Sequence, residues 1–290
     1  MPDAGDLDLI RGFCQRGAVP LPPIAMWQAL ALARDEQSNN DDMISAIVSD
    51  SRLKFAFLAG MPLSLSSSPS PKSVRQAVAR LGHRKCLSLL WLIAFSDFLS
   101  TWPQLEKEIR GRLWTHSLLT GLLADQLASA AGIESMGNAL AAGLAHDIGH
   151  LLVSSPVPRL GILRDEEPDQ LVEAALSPAP ERDHCRLGAA LLTLWDAPAE
   201  VVASALHHHD PNLAVPQVRP LVVGVRLADL MVEHLDLRGS GPALELDTAP
   251  AWRQLVASAP WNRFPRLHRF AVERLPETIL LARHVARLFG

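Results

Sequence analysis

Apolar residues recur at helical spacing along most of the chain, whereas the apolar–polar alternation of a half-buried strand is nearly absent. The segment that follows Pro23, for example, places Ile24, Trp27 and Leu30 on one face of a helix. Asn40 precedes the next such segment, DDMISAIVSD, and we expect its side chain to cap the helix N-terminus. Because strand and hairpin signals are missing, the pattern predicts an all-α fold composed of many helices.

The same spacing predicts a series of further helices. They cover residues 72–81, 83–100, 103–132, 137–154, 169–176, 181–195, 198–209 and 218–235. Gly132 is well placed to end the third of these helices in the left-handed conformation. From Trp252 onward the chain is again helical, with prolines at positions 260, 265 and 276.

Two stretches interrupt the helical pattern. Residues 64–71 (SLSSSPSP) are rich in Ser and Pro, and residues 237–250 are rich in Gly and Pro. We divide the chain into an N-terminal helical subdomain (1–100), a His-rich helical core (101–237) and a C-terminal helical extension (238–290).

Length, charge and cysteine content indicate which classes of protein this chain can belong to. With 290 residues, of which 48% are hydrophobic, the chain can bury a sizeable core. The net charge of −4 and the dispersed Lys and Arg residues give no electrostatic reason to expect a nucleic-acid partner. Cys14, Cys86 and Cys185 are odd in number and far apart, so we interpret them as reduced, small buried residues of a cytosolic protein.

Membrane signals are also missing from the sequence. The N-terminus is acidic and lacks the apolar stretch of a secretory signal. The longest apolar run, residues 86–99, is interrupted by Ser88, Ser96 and Asp97, and it falls short of the ~20 residues that cross a bilayer. We therefore expect a cytoplasmic protein with no membrane partner.

Histidine and aspartate residues are concentrated in the predicted core. Seven of the eleven histidines lie there between residues 116 and 209: His116, His146, His150, His184, His207, His208 and His209. Asp147 directly follows His146 within the apolar segment ALAAGLAHDIGHLLV, and Asp229 lies within VVGVRLADLMV. Ionisable side chains are costly to bury without strong partners, and a divalent metal is such a partner for imidazole and carboxylate.

Each of these residues also has a plainer interpretation. His116 and His184 alone could be ordinary core histidines, since each faces an apolar helical stripe. Residues 207–209 shortly precede Pro211 and could form a solvated helix end. Several ionisable side chains lie in apolar helices within this one region, and this repetition favours a shared metal centre over separate explanations.

The order of the motifs WTHS, AHDIGH, ERDHCRLGAALL, ALHHHDP and RLADL resembles the HD superfamily of metal-dependent phosphohydrolases. The closer similarity is to HDOD signalling proteins and, within the core, to HD-GYP phosphodiesterases. Upstream, AVPLPPIAMWQALALARD, AIVSDSRLKFAFLAG and SVRQAVARLG are similar to the HDOD opening region. The resemblance covers about residues 18–235. It implies an HD-type multi-helix bundle with an N-terminal helical subdomain.

Carried over residue by residue, the resemblance implies a centre with two divalent ions of Fe, Mn or Zn. The first ion would take His116, His146, Asp147 and Asp229, and the second would take His184, His208 and His209, with Asp147 bridging the two. Many HDOD proteins have lost some of these positions, so a complete set is informative. Arg112 occupies the position at which family members with three metal ions carry a carboxylate ligand, and this argues against a third ion.

Two features of the phosphodiesterases are missing. The GYP segment is replaced by PNLAVPQV after HHHD, and the lysine that follows HDIG is His150 here. These departures count against hydrolysis of cyclic-di-GMP more than against metal binding. The favoured function is therefore a bacterial signal-transduction protein that acts through protein partners and holds the metal centre as a structural element.

The alternative is a metal-dependent phosphohydrolase or phosphodiesterase that acts on a nucleotide or another phosphodiester. In that case Asp147 would be central to catalysis, and Asp210 or His207 would pass a proton to the leaving oxygen. Arg112 and His150 would bind substrate phosphate. Resemblance of fold alone does not separate the two functions.

Overall fold

A computed structural model describes residues 2–17, 19–35, 37–60, 71–102, 107–133, 137–154, 180–233, 250–264 and 267–289. Within these ranges the chain forms helices and the turns between them, and it contains no β-strand. The expectation of an all-α fold is confirmed.

The helices are numbered in chain order, and two short 3-10 helices accompany them. They are α1 (Ala4–Gln15), α2 (Ile24–Arg34), α3 (Asn40–Ser49), α4 (Ser51–Gly60), α5 (Val74–Ser100), α6 (Lys107–Ala130), α7 (Asn138–Ala145), α8 (His150–Ser154), α9 (Pro180–Leu194), α10 (Ala199–His207), α11 (Arg219–Glu233), α12 (Pro250–Val256) and α13 (Leu267–Phe289). The 3-10 helices are Pro211–Leu213 and Trp261–Arg263.

The N-terminal helices begin close to the predicted positions. Pro23 is the N-cap residue of α2, which starts at Ile24 as expected. At α3 the cap is Asn39 rather than the predicted Asn40, because Asn39 is the residue whose backbone is still extended. Its side chain accepts a hydrogen bond from the backbone N–H of Asp41 at 2.9 Å.

The predicted helices 72–81 and 83–100 are joined into the single element α5, which is kinked at Gly82. Gly82 has φ 70° and ψ 168°, a conformation far from helical that glycine adopts at little cost. The chain therefore changes direction at the boundary between the two predicted segments.

One apolar core joins the N-terminal helices to the His-rich segment. Trp27 of α2 and Phe98 of α5 both pack against Trp195, which follows α9, with ring-centroid distances of 5.6 Å and 4.6 Å. Arg186 of α9 donates hydrogen bonds of 2.6 Å and 3.0 Å to the buried carboxylate of Asp6 in α1. The first helix is thereby fixed to the helix that carries His184.

The predicted division into three parts stays a prediction. Residues 64–70 and the boundary near residue 237 lie outside the described residues, as does the predicted helix 169–176. The described part of the C-terminal segment packs on the core. Trp261 lies over Gly224 of α11 and donates a hydrogen bond to the Pro220 carbonyl oxygen at 3.0 Å. Gln126 of α6 donates to the Thr278 hydroxyl of α13, also at 3.0 Å.

A very close helix crossing forms the centre of the core. A Cβ atom added to Gly143 of α7 would lie 2.6 Å from the Cα of Gly121 in α6. Two glycines at one crossing allow the backbones of α6 and α7 to approach more closely than side chains normally permit. This approach brings His116, in the first half of α6, toward His146, directly after α7.

The prediction of one continuous helix over 137–154 is wrong. Helix α7 ends at Ala145, residues 146–149 form a turn, and α8 begins at His150. Within the turn the Ile148 backbone N–H donates to the Ala145 carbonyl oxygen at 3.1 Å, so the chain is wound more tightly than an α-helix. Adjacent residues diverge by about 100° on an α-helix, and the turn lets the neighbours His146 and Asp147 aim at one point.

No helix within the described ranges combines the length and the apolar character that a membrane crossing requires.

Candidate metal centre

The seven predicted ligands come together within the helical bundle, where His146, His184, His208 and Asp229 are buried and His209 is exposed. In chain order they are His116 of α6, His146 and Asp147 of the turn after α7, His184 of α9, His208 and His209 at the end of α10, and Asp229 of α11. The structure therefore brings together side chains that are far apart in the sequence.

Asp147 lies between two groups of imidazoles. Its Oδ2 atom is 3.4 Å from the Nε2 atoms of both His116 and His146. Its Oδ1 atom is 3.4 Å from the Nε2 atoms of both His184 and His208. The two carboxylate oxygens thus face different sets of nitrogen ligands, which is the arrangement that a bridging carboxylate needs.

Asp229 completes the first of these groups. Its Oδ1 atom lies 3.2 Å from His116 Nε2 and 3.5 Å from His146 Nε2. The other oxygen, Oδ2, accepts a hydrogen bond from the Arg226 guanidinium one turn earlier on α11, and Arg226 also contacts Glu233 at 3.1 Å. Arg226 therefore orients the buried Asp229 carboxylate so that one oxygen is directed at the imidazoles.

Backbone hydrogen bonds set the tautomers of the buried histidines. His146 Nδ1 lies 2.8 Å from the Gly143 carbonyl oxygen, and His208 Nδ1 lies 3.1 Å from the Ser204 carbonyl oxygen. Because a carbonyl oxygen only accepts, each Nδ1 is the donor, and in the neutral ring each Nε2 carries a lone pair. These lone pairs point into the cluster, as metal-ligating histidines require.

The spacing of the ligand atoms also fits a bound cation. His116 Nε2 and His146 Nε2 are 3.3 Å apart, and His184 Nε2 and His208 Nε2 are 3.5 Å apart. Ligands bound at about 2.0–2.2 Å to one tetrahedral ion are separated by roughly 3.3–3.6 Å. Lone pairs at such distances repel each other unless a proton or a cation lies between them.

Both carboxylates are ionised despite their burial. Burial acts to raise the pKa of Asp147, but the neighbouring imidazoles of His146 and His116 lower it well below its ordinary value. The pKa of Asp229 is lowered in the same way, against burial, by hydrogen bonds from His116 and His146. In return the carboxylates raise the pKa of His146 well above its ordinary value, although burial opposes this. The pocket therefore attracts positive charge.

The pKa values of His184 and His209 are shifted in opposite directions. Burial acts to lower the pKa of His184, but hydrogen bonds that its ring donates to Asp147 and Cys185 raise it to about 10. Burial and the neighbouring His208 lower the pKa of His209 to about 4. The His209 ring lies 4.1 Å from His208 and 5.2 Å from His184, measured between centroids. A neutral His209 beside them offers a nitrogen lone pair for a metal.

His150 lies beside the second imidazole group. Its ring stacks on that of His184 at a centroid distance of 4.0 Å and an interplanar angle of 15°. Its Nε2 atom is 3.8 Å from Asp147 Oδ1, and 41% of the side chain is exposed. Burial of the rest lowers the pKa of His150 to about 4. The residue predicted to bind phosphate thus lies, uncharged, where the cluster meets solvent.

The other predicted site residues are close in sequence to proposed ligands. Arg112 is exposed and precedes His116 by one helical turn on α6. Asp210 is exposed, and its carboxylate accepts a hydrogen bond from the Asn212 backbone N–H at 3.3 Å, at the start of the 3-10 helix. His207 ends α10, and burial lowers its pKa. Their proposed parts in phosphate binding and proton transfer stay predictions.

Sequence reasoning missed two residues at the centre. Cys185 was interpreted as a small buried residue, but its Sγ atom lies 3.4 Å from His184 Nε2. Arg226 was not singled out, although it holds Asp229. A guanidinium three residues before an aspartate on a helix was the available signal for Arg226. For Cys185 the sequence carried no signal, since adjacent residues on a helix diverge by about 100°.

An all-helical bundle with an ordered His and Asp cluster defines a protein of the HD type. The family model of the HDOD domain matches residues 19–211, which is well over half of the chain. The chain belongs to the HDOD family.

Known proteins share this fold at low sequence identity. An HDOD domain protein of unknown function from Geobacter sulfurreducens has a TM-score of 0.66 and 22% identity, and the match covers 98% of each chain. A protein from Shewanella amazonensis SB2B, provisionally named a phosphohydrolase, also has a TM-score of 0.66, with 16% identity over 97% of this chain and 98% of that one. At these identities the likeness concerns the fold alone.

A relative is also found by sequence. An uncharacterised protein of Treponema pallidum (strain Nichols) is 27% identical over 170 residues, or 56% of this chain. The matched region is 32% of that protein, so the chain spans about a third of the length of its curated relative.

Proposed function

We propose that this chain is an HDOD-type signal-transduction protein whose helical body is stabilised by a dinuclear His and Asp metal centre. The observation that carries the proposal is the position of Asp147, whose two carboxylate oxygens each lie 3.4 Å from a different pair of imidazole nitrogens. A carboxylate whose two oxygens face two different groups of ligand atoms is typical of a bridge between two ions.

The residues fall into two ligand groups. The first group is His116, His146 and Asp229, and the second is His184, His208 and His209, with Asp147 shared. Imidazole and carboxylate suit borderline divalent ions, and Fe, Mn and Zn all bind such ligand sets. Arg226 donates a hydrogen bond to Asp229 Oδ2 and thereby orients this carboxylate.

A signalling role is favoured because the features expected for cyclic-di-GMP binding are missing. The GYP segment is absent from the sequence, and the position of the lysine after HDIG is occupied by His150. The low pKa of His150, about 4, leaves this residue neutral at physiological pH, so it does not replace the positive charge of lysine. The family context and the helical surface then favour protein partners as the means of signalling.

One observation favours the alternative, a metal-dependent phosphohydrolase or phosphodiesterase. The side chains of Asp147 and His150 are 16% and 41% exposed, so one side of the centre is open to solvent. A pair of divalent ions supplies an activated water and neutralises phosphate oxygens. In this alternative Arg112 and His150 hold the phosphate, and Asp210 or His207 transfers a proton to the leaving oxygen.

A turnover assay separates the two functions. With Mn or Fe supplied, we expect negligible hydrolysis of cyclic-di-GMP by the full chain, because His150 and the PNLAVPQV segment provide no charge for its phosphates. Assays with cyclic dinucleotides, nucleotides and a small activated phosphodiester are run beside the Asp147→Ala variant. Robust cleavage of cyclic-di-GMP that depends on Asp147 would overturn the proposed signalling role.

Chelation tests the structural contribution of the metal. Removal of metal is expected to lower Tm by roughly 5 °C or more, since a ligand that binds only the folded state stabilises it by a few kcal/mol. Differential scanning calorimetry with and without a chelator measures the shift. The Asp147→Ala variant is the control, and its Tm should not respond to the chelator. An equal Tm for chelated and untreated wild-type protein would contradict a stabilising metal centre.

A further inference from the structure

Cys185 is placed among the ligands of the second group. It follows His184 on α9 and is 6% exposed, and its Sγ atom lies 3.4 Å from His184 Nε2. The sulfur and one ring nitrogen each of His184, His208 and His209 all lie within 4.8 Å of one another. We propose that Cys185 is a thiolate ligand of the second metal position and that this position selects zinc. The inference rests on the proposed metal centre.

Two distances in this group are those of ligands around one ion. Zn–N bonds of about 2.0–2.1 Å and a Zn–S bond of about 2.3 Å place the ligand atoms of a tetrahedral zinc site roughly 3.3–3.7 Å apart. The Sγ atom of Cys185 and the Nε2 atom of His208 are 3.4 Å and 3.5 Å from His184 Nε2. A small shift of side chains therefore suffices to bring sulfur and nitrogen onto the same ion.

The surroundings of Cys185 differ from those of an ordinary buried cysteine. Cys86 of α5 is fully buried within the apolar core, and burial raises the pKa of its thiol to about 12. Cys185 instead contacts an imidazole nitrogen at the centre. On metal binding its S–H bond breaks, the proton passes to solvent and a sulfur–metal bond forms.

A thiolate changes which ion the second position prefers. Three imidazoles and a thiolate form a soft, nitrogen- and sulfur-rich set that suits zinc, whereas the first group has two imidazoles and carboxylate oxygens. With Asp147 Oδ1, which it shares with the first position, the second position has five candidate donors.

The test uses the full chain and Co(II) as the probe. Cobalt that replaces zinc absorbs in the near ultraviolet by thiolate-to-metal charge transfer only when sulfur is bound. We expect this band in the wild-type protein and in Cys86→Ala, and we expect it to be absent in Cys185→Ala. Zinc affinity of Cys185→Ala should fall by more than the ~10–100-fold that loss of an outer-shell partner costs.

The outcomes distinguish this inference from the proposed function. Wild-type protein that binds close to two metal ions without the charge-transfer band would overturn the role of Cys185 and leave the proposed metal centre intact. Wild-type protein that binds no metal would overturn both. Since the decisive spectrum is that of the wild type, misfolding of a variant does not affect the result.

Discussion

The Asp147→Ala variant is expected to purify without bound divalent metal, whereas Asp210→Ala keeps the metal content of the wild type. Asp147 Oδ1 and Oδ2 each approach a different pair of imidazole nitrogens, so one substitution removes a ligand from both proposed positions. Asp210 instead faces solvent and caps a 3-10 helix. Loss of that cap costs about 1 kcal/mol of stability and leaves the ligands in place.

Elemental mass spectrometry of the purified proteins measures the metal content. Circular dichroism shows whether each variant retains its helices, so that loss of metal is not confused with loss of fold. Equal metal content in the wild type and in Asp147→Ala would contradict the bridging role. If Asp210→Ala lost metal and Asp147→Ala kept it, the ions would instead bind on the solvent side of the cluster, near Asp210.

The Gly149→Ala variant is expected to be strongly destabilised. A Cβ atom at this position would lie 1.9 Å from the His184 carbonyl oxygen and 2.8 Å from the Gly188 backbone nitrogen. Both contacts are with backbone, so relief requires α9 to move away from the turn after α7. Overpacking of this kind costs about 1–3 kcal/mol and occasionally more, and here it also displaces His184 from Asp147.

Gly111→Ala is the matched control. Gly111 lies in α6, and an added Cβ atom would meet nothing within 4 Å. Replacement of a helical glycine by alanine is expected to stabilise the protein by about 0.5–1 kcal/mol. Chemical denaturation followed by circular dichroism measures both changes. A Gly149→Ala protein as stable as the wild type would show that α9 and the turn do not pack as described.

The sequence predicted the helices well because their signals are local. The apolar spacing after Pro23 led directly to α2, and the left-handed φ of 64° at Gly132 follows the end of α6 as expected. The continuous helix over 137–154 was wrong because periodicity does not register a four-residue turn inside an apolar segment. That turn is stabilised by packing of Gly149 on α9, a contact between residues distant in sequence.

The candidate site was predictable in its residue types and not in its geometry. Buried His and Asp residues in apolar helices indicated a metal centre, and the order of the motifs indicated the HD type. The place of Cys185 was not predictable, since a cysteine beside a ligand on a helix normally points about 100° away from it. The spacing of Arg226 and Asp229 on one helix indicated that the two could pair, and the structure shows this contact.

By itself, the sequence determined that the chain is helical, that it belongs among HD-type proteins and which side chains are candidate ligands. These properties depend on residue type, spacing and order, which can be read directly from the sequence. Only the tertiary structure decided that Asp147 divides its oxygens between two imidazole groups and that Cys185 joins the second. The reason is that both depend on where α6, α7 and α9 cross, and those crossings are determined by close backbone approaches at Gly143 and Gly149.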